Sequence, residues 1–396
     1  MIVLEFKLAG AARQYAALDE AIRTTQFIRN KCVRKWMDER GVKPYDLNRY
    51  CAILAREYDF AAKLNAQARQ AAAERAGAAI LRFYKTRRTQ MPSQKGYPQF
   101  QKDCRSVEYK ATGWKLDEAR ARLTLTDGFK AGTFRLRGTR DLVGYACDQI
   151  KRVRILRRAD GYYAQFGVNV VRRVAVEATG RNVGIDLGLT HFYTDSEGAT
   201  VANPRHLRRS GEAVTRLHRR VSSKVKGSKN RAKARGRLGR KHLKVSRQRK
   251  DFAVKTARAL VMSNDMIAYE NLQVSSMVKN RRLAKSISDA GWRTFVTWLG
   301  YMAQVYGKVV VAVPPRYTSQ DCSGCGERVT KALSERTHVC PHCKAVLNRD
   351  HNAARNILAL GTRYLAETTA GHAERNAWGQ SALYPMQATV SDTATG

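Results

Sequence analysis

The chain has no uninterrupted apolar run of the roughly 18 residues that a membrane helix needs, and a membrane span is not expected. Its opening residues, MIVLEFKLAGAARQY, lack a basic region followed by a long apolar stretch, so secretion is not expected either and the cytoplasm is the expected location. Cysteine is sparse: eight in 396 residues do not make a disulfide scaffold. No self-similarity at a solenoid period is present. Acids are the conspicuous shortage, 33 Asp+Glu against 73 Lys+Arg, a formal net charge of +40. A hydrophobic fraction of 43% is ordinary, which allows a sizeable core and excludes wholesale disorder. At roughly 100–200 residues per domain the length suggests two to three domains.

An excess of this size calls for a polyanionic partner. Nucleic acid is the first candidate, because each neutralised phosphate releases counterions and so drives binding. An acidic membrane surface suits one amphipathic basic helix better than charge spread over a chain. The charge is also uneven: residues 205–250 hold 19 Lys/Arg and one acid, Glu212, and so carry +18. Leu207, Val214, Leu217 and Val221 recur there at helical spacing, and Leu238, Leu243 and Val245 resume after KGSKN. This predicts two basic helices joined by a polar turn. The plain alternative is a solvated charged face.

Three regions differ in pattern. Residues 2–8 read as a strand and 11–90 as Ala-rich helices. From Tyr97 to Val171 short alternating runs predict a β domain, with a hairpin around Asp160-Gly161. The first strand joins that domain and the helices are inserted into it. From Asn182 onward strands and helices alternate, which predicts a mixed αβ sheet: NVGIDLGLTHFYT, MIAYENL and KVVVAVPP as strands, FAVKTARALVM and GWRTFVTWLGYMAQVYG as helices. Periodicity fades after about Thr362, and a flexible tail is expected.

The strongest local signal is a pair of knuckles, Cys322-Ser-Gly-Cys325 and Cys340-Pro-His-Cys343. Two C-x-x-C turns so close match a ribbon in which four thiolates hold one structural Zn²⁺. His338 and His342 lie nearby, but four Cys already fill a closed site. Cys32, Cys51, Cys104 and Cys147 have no such partners and read as core residues.

The second constellation is acidic: Asp186 in VGIDLGL, Glu270 in MIAYENL and Asp350 in NRDHNAARNIL. Two of these interrupt or end apolar strands, where a carboxylate costs free energy unless it has a task. Gly184 and Gly188 are read as letting the chain turn closely around Asp186. Three acids converging on one sheet would hold two Mg²⁺ or Mn²⁺ ions about 4 Å apart for phosphodiester hydrolysis. Taken singly, Asp186 is equally a turn acid or a nucleotide-site acid of an actin-like ATPase.

The order GIDLGL, a long basic insert, YENL, NRRLAKSISDAGW, YTSQDCSGCG, CPHC and NRDHNAARNIL resembles the TnpB family of transposon-encoded RNA-guided DNA nucleases, relatives of type V CRISPR effectors. The resemblance is dense from Asn182 to about Gly361, and before that it is one of layout. It implies a multidomain α+β protein. A wedge-like β domain would span 1–10 and 92–178, with a helical recognition lobe at 11–91. A RuvC-like, RNase H-like nuclease domain would span 179–319, with a zinc ribbon inserted at 320–346, its end at 347–362 and a tail at 363–396. It places the family's three acids on Asp186, Glu270 and Asp350. Asn348 departs from the family, which usually has D-R-D where this chain has Asn348-Arg349-Asp350.

The function the resemblance implies is guided cleavage of double-stranded DNA beside a short transposon-adjacent motif, by one site cutting both strands. Its partners would be a guide RNA from the transposon end and the target duplex, with the protein a monomer in the ribonucleoprotein. The other readings are a compact type V effector, a transposase, and a guided repressor that binds without cutting. Arg231, Lys233, Arg235 and Arg237 are the expected nucleic-acid contacts in the basic segment. Residues 280–292 read as a mobile lid with Arg281 or Arg282 on the substrate backbone, or as a plain surface loop before a helix whose Trp292 packs inward.

Overall fold

The computed structural model describes residues 1–88, 96–332 and 335–372. They fall into two compact units, Met1–Arg172 and Arg173–Gly396. Among the described residues no helix is long and apolar enough to cross a membrane.

The first unit opens on β1 (Ile2–Ala9), whose alternation turns Leu4, Phe6 and Leu8 inward. Four helices follow: α1 (Ala12–Asp38), α2 (Pro44–Glu57), α3 (Asp59–Ala62) and α4 (Ala66–Arg88). Pro44 opens α2, where its missing N–H costs nothing, and Asp46 accepts the Lys43 amide at 2.9 Å. Six strands complete the unit: β2 (Ser106–Tyr109), β3 (Trp114–Leu116), β4 (Arg122–Leu125), β5 (Gly132–Arg137), β6 (Ile150–Arg158) and β7 (Gly161–Val168). With β1 they form an antiparallel sheet in the order β2-β6-β7-β1-β5-β4-β3.

The helices thus interrupt the sheet in sequence, after β1 and before β2. Helices and strands share one core, in which Leu18, Ile22 and Ile28 join Val107, Phe134 and Phe166. The hairpin turn is one residue earlier than the sequence suggested: Arg158 pairs with Gly161, leaving Ala159 and Asp160 at the turn. Cys32, Cys51 and Cys104 are buried, but Cys147 is exposed and is not a core residue.

The second unit is built on β8 (Asn182–Leu187), β9 (His191–Asp195), β10 (Thr200–Ala202), β11 (Met266–Glu270) and β12 (Val309–Val313), in the order β10-β9-β8-β11-β12. β8, β11 and β12 run parallel, while β9 pairs antiparallel with β8 and β10 antiparallel with β9. Between β10 and β11 stand α5 (His206–Arg209), α6 (Gly211–Ser222) and α7 (Lys229–Ser263). Between β11 and β12 stand α8 (Val274–Met277), α9 (Ala284–Ala290) and α10 (Trp292–Tyr306). Then come β13 (Thr337–Val339), β14 (Val346–Asn348) and α11 (Arg349–His372).

Both sheet faces are covered. On one, Val183, Ile185, Leu187 and Ile267 meet Ala257 and Leu260 of α7 and Phe295 and Leu299 of α10. On the other, Met266, Ala268, Val311 and Val313 meet Ile357 of α11. Side chains alternate along a strand, so Gly184 and Asp186 point to the α11 face, as do Ala268 and Glu270.

Two boundaries differ from the sequence reading. The basic residues 229–250 and the apolar run after them are one 35-residue helix, α7, because no breaker separates them. The expected tail from 363 is helical to His372; the rest of it, 373–396, lies outside the described residues, as do residues 89–91 of the expected helical lobe.

Candidate metal centre and acidic site

Register brings two of the acids together. Tyr269 pairs with Ile185, and the next residues along these parallel strands are Glu270 and Asp186. Asp350 stands in the first turn of α11, the helix covering the same face. Burial first, then the charges of Glu270 and Asp350, push Asp186 up to about 8, while Arg349 and Arg336 oppose that shift. Burial also pushes Glu270 upward, against a hydrogen bond from Thr318. Arg349 donates to Asp350 Oδ1 from Nε at 3.3 Å and Nη2 at 3.2 Å, and Arg336 Nη1 lies 3.8 Å from the same oxygen. Three carboxylates therefore share one electrostatic neighbourhood, where a cation would relieve both burial and repulsion. They do not share a single tight shell: among the described residues, only the four cysteines form a group of three or more such donors within 4.8 Å of one another.

Gly188 follows β8 at the expected turn, but Gly184 has another role. Gly184 lies inside β8, and a Cβ there would stand 2.2 Å from the Ala354 carbonyl oxygen. Gly361 does the same from the helix, since its Cβ would meet the Ala268 Cβ at 2.4 Å. The two glycines let α11 lie close on β8 and β11, which carries Asp350 toward the other acids. Asn348 begins that helix: its Oδ1 accepts the amides of Asp350 at 2.9 Å and His351 at 3.4 Å. The departure from D-R-D thus keeps a good cap and removes one negative charge.

Asn352 and Asn356 were not singled out in the sequence, although two Asn one helical turn apart beside inward-facing alanines are a readable signal. Asn352 is fully buried; its Nδ2 donates to Asp321 O at 2.8 Å and its Oδ1 accepts Ser323 N at 2.9 Å. Asn356 Nδ2 donates to the carbonyls of Thr318 and Asp321, at 2.8 and 2.7 Å. They tie the first cysteine knuckle to the helix of Asp350. Thr318, also missed, gives its hydroxyl to Glu270 Oε1.

The four expected cysteines converge. Cys322 and Cys343 Sγ are 3.5 Å apart, and Cys325 and Cys340 Sγ 3.6 Å. Sulfurs about 2.3 Å from a central zinc in a tetrahedron are separated by roughly 3.8 Å, so the cluster fits such an ion. Each knuckle closes the same way: Gly326 N donates to Cys322 O at 2.8 Å and Lys344 N to Cys340 O at 3.0 Å. Gly326 and Lys344 both take positive φ, 80° and 61°. The Cys343 backbone N–H, followed by that of His342, draws the Cys340 thiol down to about 6. His338 faces Lys331 and stands outside the thiol group.

In the basic segment, α6 and α7 form the expected helix pair joined by a turn, and the Ser228 hydroxyl caps α7 by accepting Arg231 N at 3.1 Å. Lys233, Arg235 and Arg237 are exposed, whereas Arg231 is half-buried and donates to Lys224 O at 2.9 Å. At 3.6 residues per turn these four do not share a face: Arg231 and Arg235 make one stripe, Lys233 and Arg237 another.

Residues 280–292 are anchored more than a lid would be. Ile287 and Trp292 are buried, and Arg281 and Arg282 are exposed. Asp289, missed in the sequence although it is the segment's one acid, is 7% exposed. It accepts the amides of Leu207 at 2.8 Å and Arg208 at 3.0 Å and pairs with Arg249 at 2.9 Å. One carboxylate thereby joins α9, α5 and α7.

Residues 165–281 match the family described as "Probable transposase", and residues 292–357 the one described as "Cas12f1-like, TNB domain". "TnpB-like protein L79" of Acanthamoeba polyphaga mimivirus is 25% identical, over 51% of this chain and 41% of that protein. "Putative RNA-guided DNA endonuclease InsQ" of Escherichia coli K12 is 30% identical over 287 residues, 68% of this chain and 70% of its own. The chain belongs to the TnpB family.

A second bacterial relative, the "Putative RNA-guided DNA endonuclease" of Streptomyces pristinaespiralis, is 41% identical over 46% of each protein. The TnpB chain thus spans about half the length of that relative and of the viral one. Among solved structures, the "mini-RNA-guided endonuclease CRISPR-Cas_phi3" has a TM-score of 0.54 at 9% identity, covering 91% of this chain and 92% of its own. The protein of a "Cas12f1-sgRNA-target DNA complex" has 0.52 at 14%, covering 87% and 81%. These are likenesses of fold. In this TnpB chain the two family matches leave a gap from 282 to 291, which holds Arg282 and Asp289.

Proposed function

We propose that the protein is an RNA-guided endonuclease that cuts double-stranded DNA at one RuvC-like site formed by Asp186, Glu270 and Asp350. The observation carrying this reading is the convergence of three acids on the α11 face of one sheet, with Asp186 pushed up to about 8 by burial and its acidic neighbours. Oxygen donors of this kind suit Mg²⁺ or Mn²⁺. A set too spread for one shell would suit a pair of such ions, which Asp186 on the central strand would hold together with Glu270 and Asp350. The chemistry supplied by paired cations is activation of a water and stabilisation of the departing phosphodiester oxygen. The protein's part is to hold three carboxylates at fixed places on a rigid strand pair and helix.

In this reading Cys322, Cys325, Cys340 and Cys343 hold one structural zinc. The first unit supplies the wedge and recognition functions. The exposed cations of α7 lie along the guide–target duplex, with Arg281 and Arg282 on the substrate backbone. The active species is a protein monomer with its guide RNA, acting on the nucleoid in the cytoplasm. The +40 charge supports this choice of partner.

The test is to purify the protein with its co-expressed RNA, sequence that RNA, and offer matching duplexes in Mg²⁺. The expected result is an RNA from a transposon end and cleavage of both strands beside a short motif, abolished in Asp186→Ala. An RNA from a CRISPR array would make the protein a compact effector, joined strands a transposase, and binding without cutting a repressor.

A further inference from the structure

Thr318 sits where the cysteine-bearing segment reaches the acids. The chain turns there at Tyr317, whose φ of 65° lies in the left-handed region that bulky residues rarely adopt. Such strain persists only where the surroundings hold it. Here Gln320 N and Asp321 N both donate to Tyr317 O at 2.8 Å, and the Arg328 guanidinium lies 3.5 Å over the Tyr317 ring. The turn buries Thr318 to 3% exposure and aims its hydroxyl at Glu270 Oε1. The Thr318 carbonyl is taken by Asn356, and Ser323, which directly follows Cys322, is held by Asn352.

These contacts form a continuous path. It runs from the first knuckle through the Tyr317 turn to one oxygen of Glu270, braced by the helix that carries Asp350. A carboxylate with one oxygen engaged loses its free rotation and presents the other in a fixed direction. We propose that Thr318 is a positioning residue that fixes the Glu270 carboxylate for cation binding, and that the cysteine cluster holds Thr318 in place. The inference rests on the reading of Glu270 as a cation ligand.

The probe is Mn²⁺ binding to the purified ribonucleoprotein, followed by electron paramagnetic resonance of the free ion. Zinc content and the Mg²⁺ dependence of cleavage are measured alongside. Thr318→Val removes the hydroxyl and keeps the shape. It is expected to retain one zinc per chain and to weaken Mn²⁺ binding by about tenfold or more, the usual cost of losing a residue that orients a ligand. Thr318→Ser is expected to restore most of the loss, and high Mg²⁺ to recover cleavage by the valine variant. In a Glu270→Gln background Thr318→Val should change Mn²⁺ binding no further, since its effect passes through that carboxylate.

Unchanged Mn²⁺ binding by Thr318→Val, or a serine variant as poor as valine with zinc intact, would overturn the proposal. Should the valine variant fail to fold, Asn356→Ala frees the Thr318 carbonyl without touching its hydroxyl. It should weaken Mn²⁺ binding in the same direction, and parental binding would overturn the proposal. Failure of the nuclease reading itself looks different: Asp186→Ala and Glu270→Gln would then leave Mn²⁺ binding and cleavage unchanged. If those two variants abolish both while Thr318→Val alters neither, only the role of Thr318 falls.

Discussion

Gly184 of β8 lies directly against the Ala354 carbonyl of α11, so close that a Cβ on it would stand 2.2 Å from that oxygen and 2.6 Å from Leu358 N. Both obstacles are helix backbone, which cannot swing aside as a side chain can. Gly184→Ala must therefore lift α11 from the sheet. Overpacking of this kind costs about 1–3 kcal/mol or more. We expect a lower melting temperature, and loss of cleavage at temperatures where the variant is still folded, because Asp350 moves with the helix. Unfolding and cleavage measured together check this; a variant with parental melting would contradict the close packing.

On the proposed reading, Asp186→Ala should reduce cleavage by orders of magnitude and leave guide and target binding intact, since base pairing and basic residues would carry recognition. A pH signature accompanies it. Asp186 is raised from the ordinary carboxylate range to about 8 without a bound cation. Between those two values the folded state binds the extra proton, so the residue's contribution to stability declines as pH rises from about 4 to 8. Chelated protein should lose stability across that window more steeply than Asp186→Asn, and Mg²⁺ should offset the loss at the upper end. Melting temperature against pH, with and without chelator, reads both effects. Parallel curves for the two proteins would remove the basis for a raised Asp186.

Elemental analysis of folded protein should find one zinc per chain. Cys340→Ser should lower zinc content and melting temperature, because a closed thiolate site contributes its binding free energy to folding. Folded protein without stoichiometric zinc would sink this assignment.

The two stripes of α7 should differ in salt response. Lys233 and Arg237 are exposed and share a face, whereas Arg231 already donates to Lys224 O. Neutralising Lys233 and Arg237 together should weaken nucleic-acid binding and reduce the salt slope by roughly one unit per lost phosphate contact. Changing Arg231 alone should cost stability more than affinity. A slope unaltered by the Lys233 and Arg237 pair would make that stripe a solvated face.

Replacing Arg281 and Arg282 by Ala should slow cleavage without lowering the melting temperature, since both are exposed. Asp289→Ala should do the reverse and lower the melting temperature first, because it strands the Leu207 and Arg208 amides and the Arg249 guanidinium. Unchanged cleavage in the double arginine variant would leave 280–292 as a surface connection.

Much of the site was legible because its signals are local. A C-x-x-C turn is a few residues long and closes by its own backbone bonds, so Cys322, Cys325, Cys340 and Cys343 could be paired from spacing. Alternation and helical period placed β8, β11, β12 and α10, because each buries a face whose pattern is written along the chain. Asp186 and Glu270 stood out as charges set against apolar runs, and Asp350 as an acid before a helix with inward-facing alanines. Resemblance to one family supplied their joint meaning.

What stayed hidden lies between residues far apart in the chain. Glu270 and Thr318 are separated by 48 positions, and Asp289 and Leu207 by 82. A hydrogen-bonding side chain has no period, and its partner is fixed only once strands have registered and helices have packed. For the same reason Gly184 read as a turn residue: its true neighbour, the backbone of α11, arrives from 170 residues downstream. Local pattern was enough to mark four cysteines able to hold a metal, most of the strands and helices, and a charge excess that calls for a polyanionic partner. Packing decided which carboxylates share a face, that Thr318 meets Glu270, that Asn352 and Asn356 brace the first knuckle, and how closely α11 approaches, because those depend on fit at ångström range that no local pattern encodes.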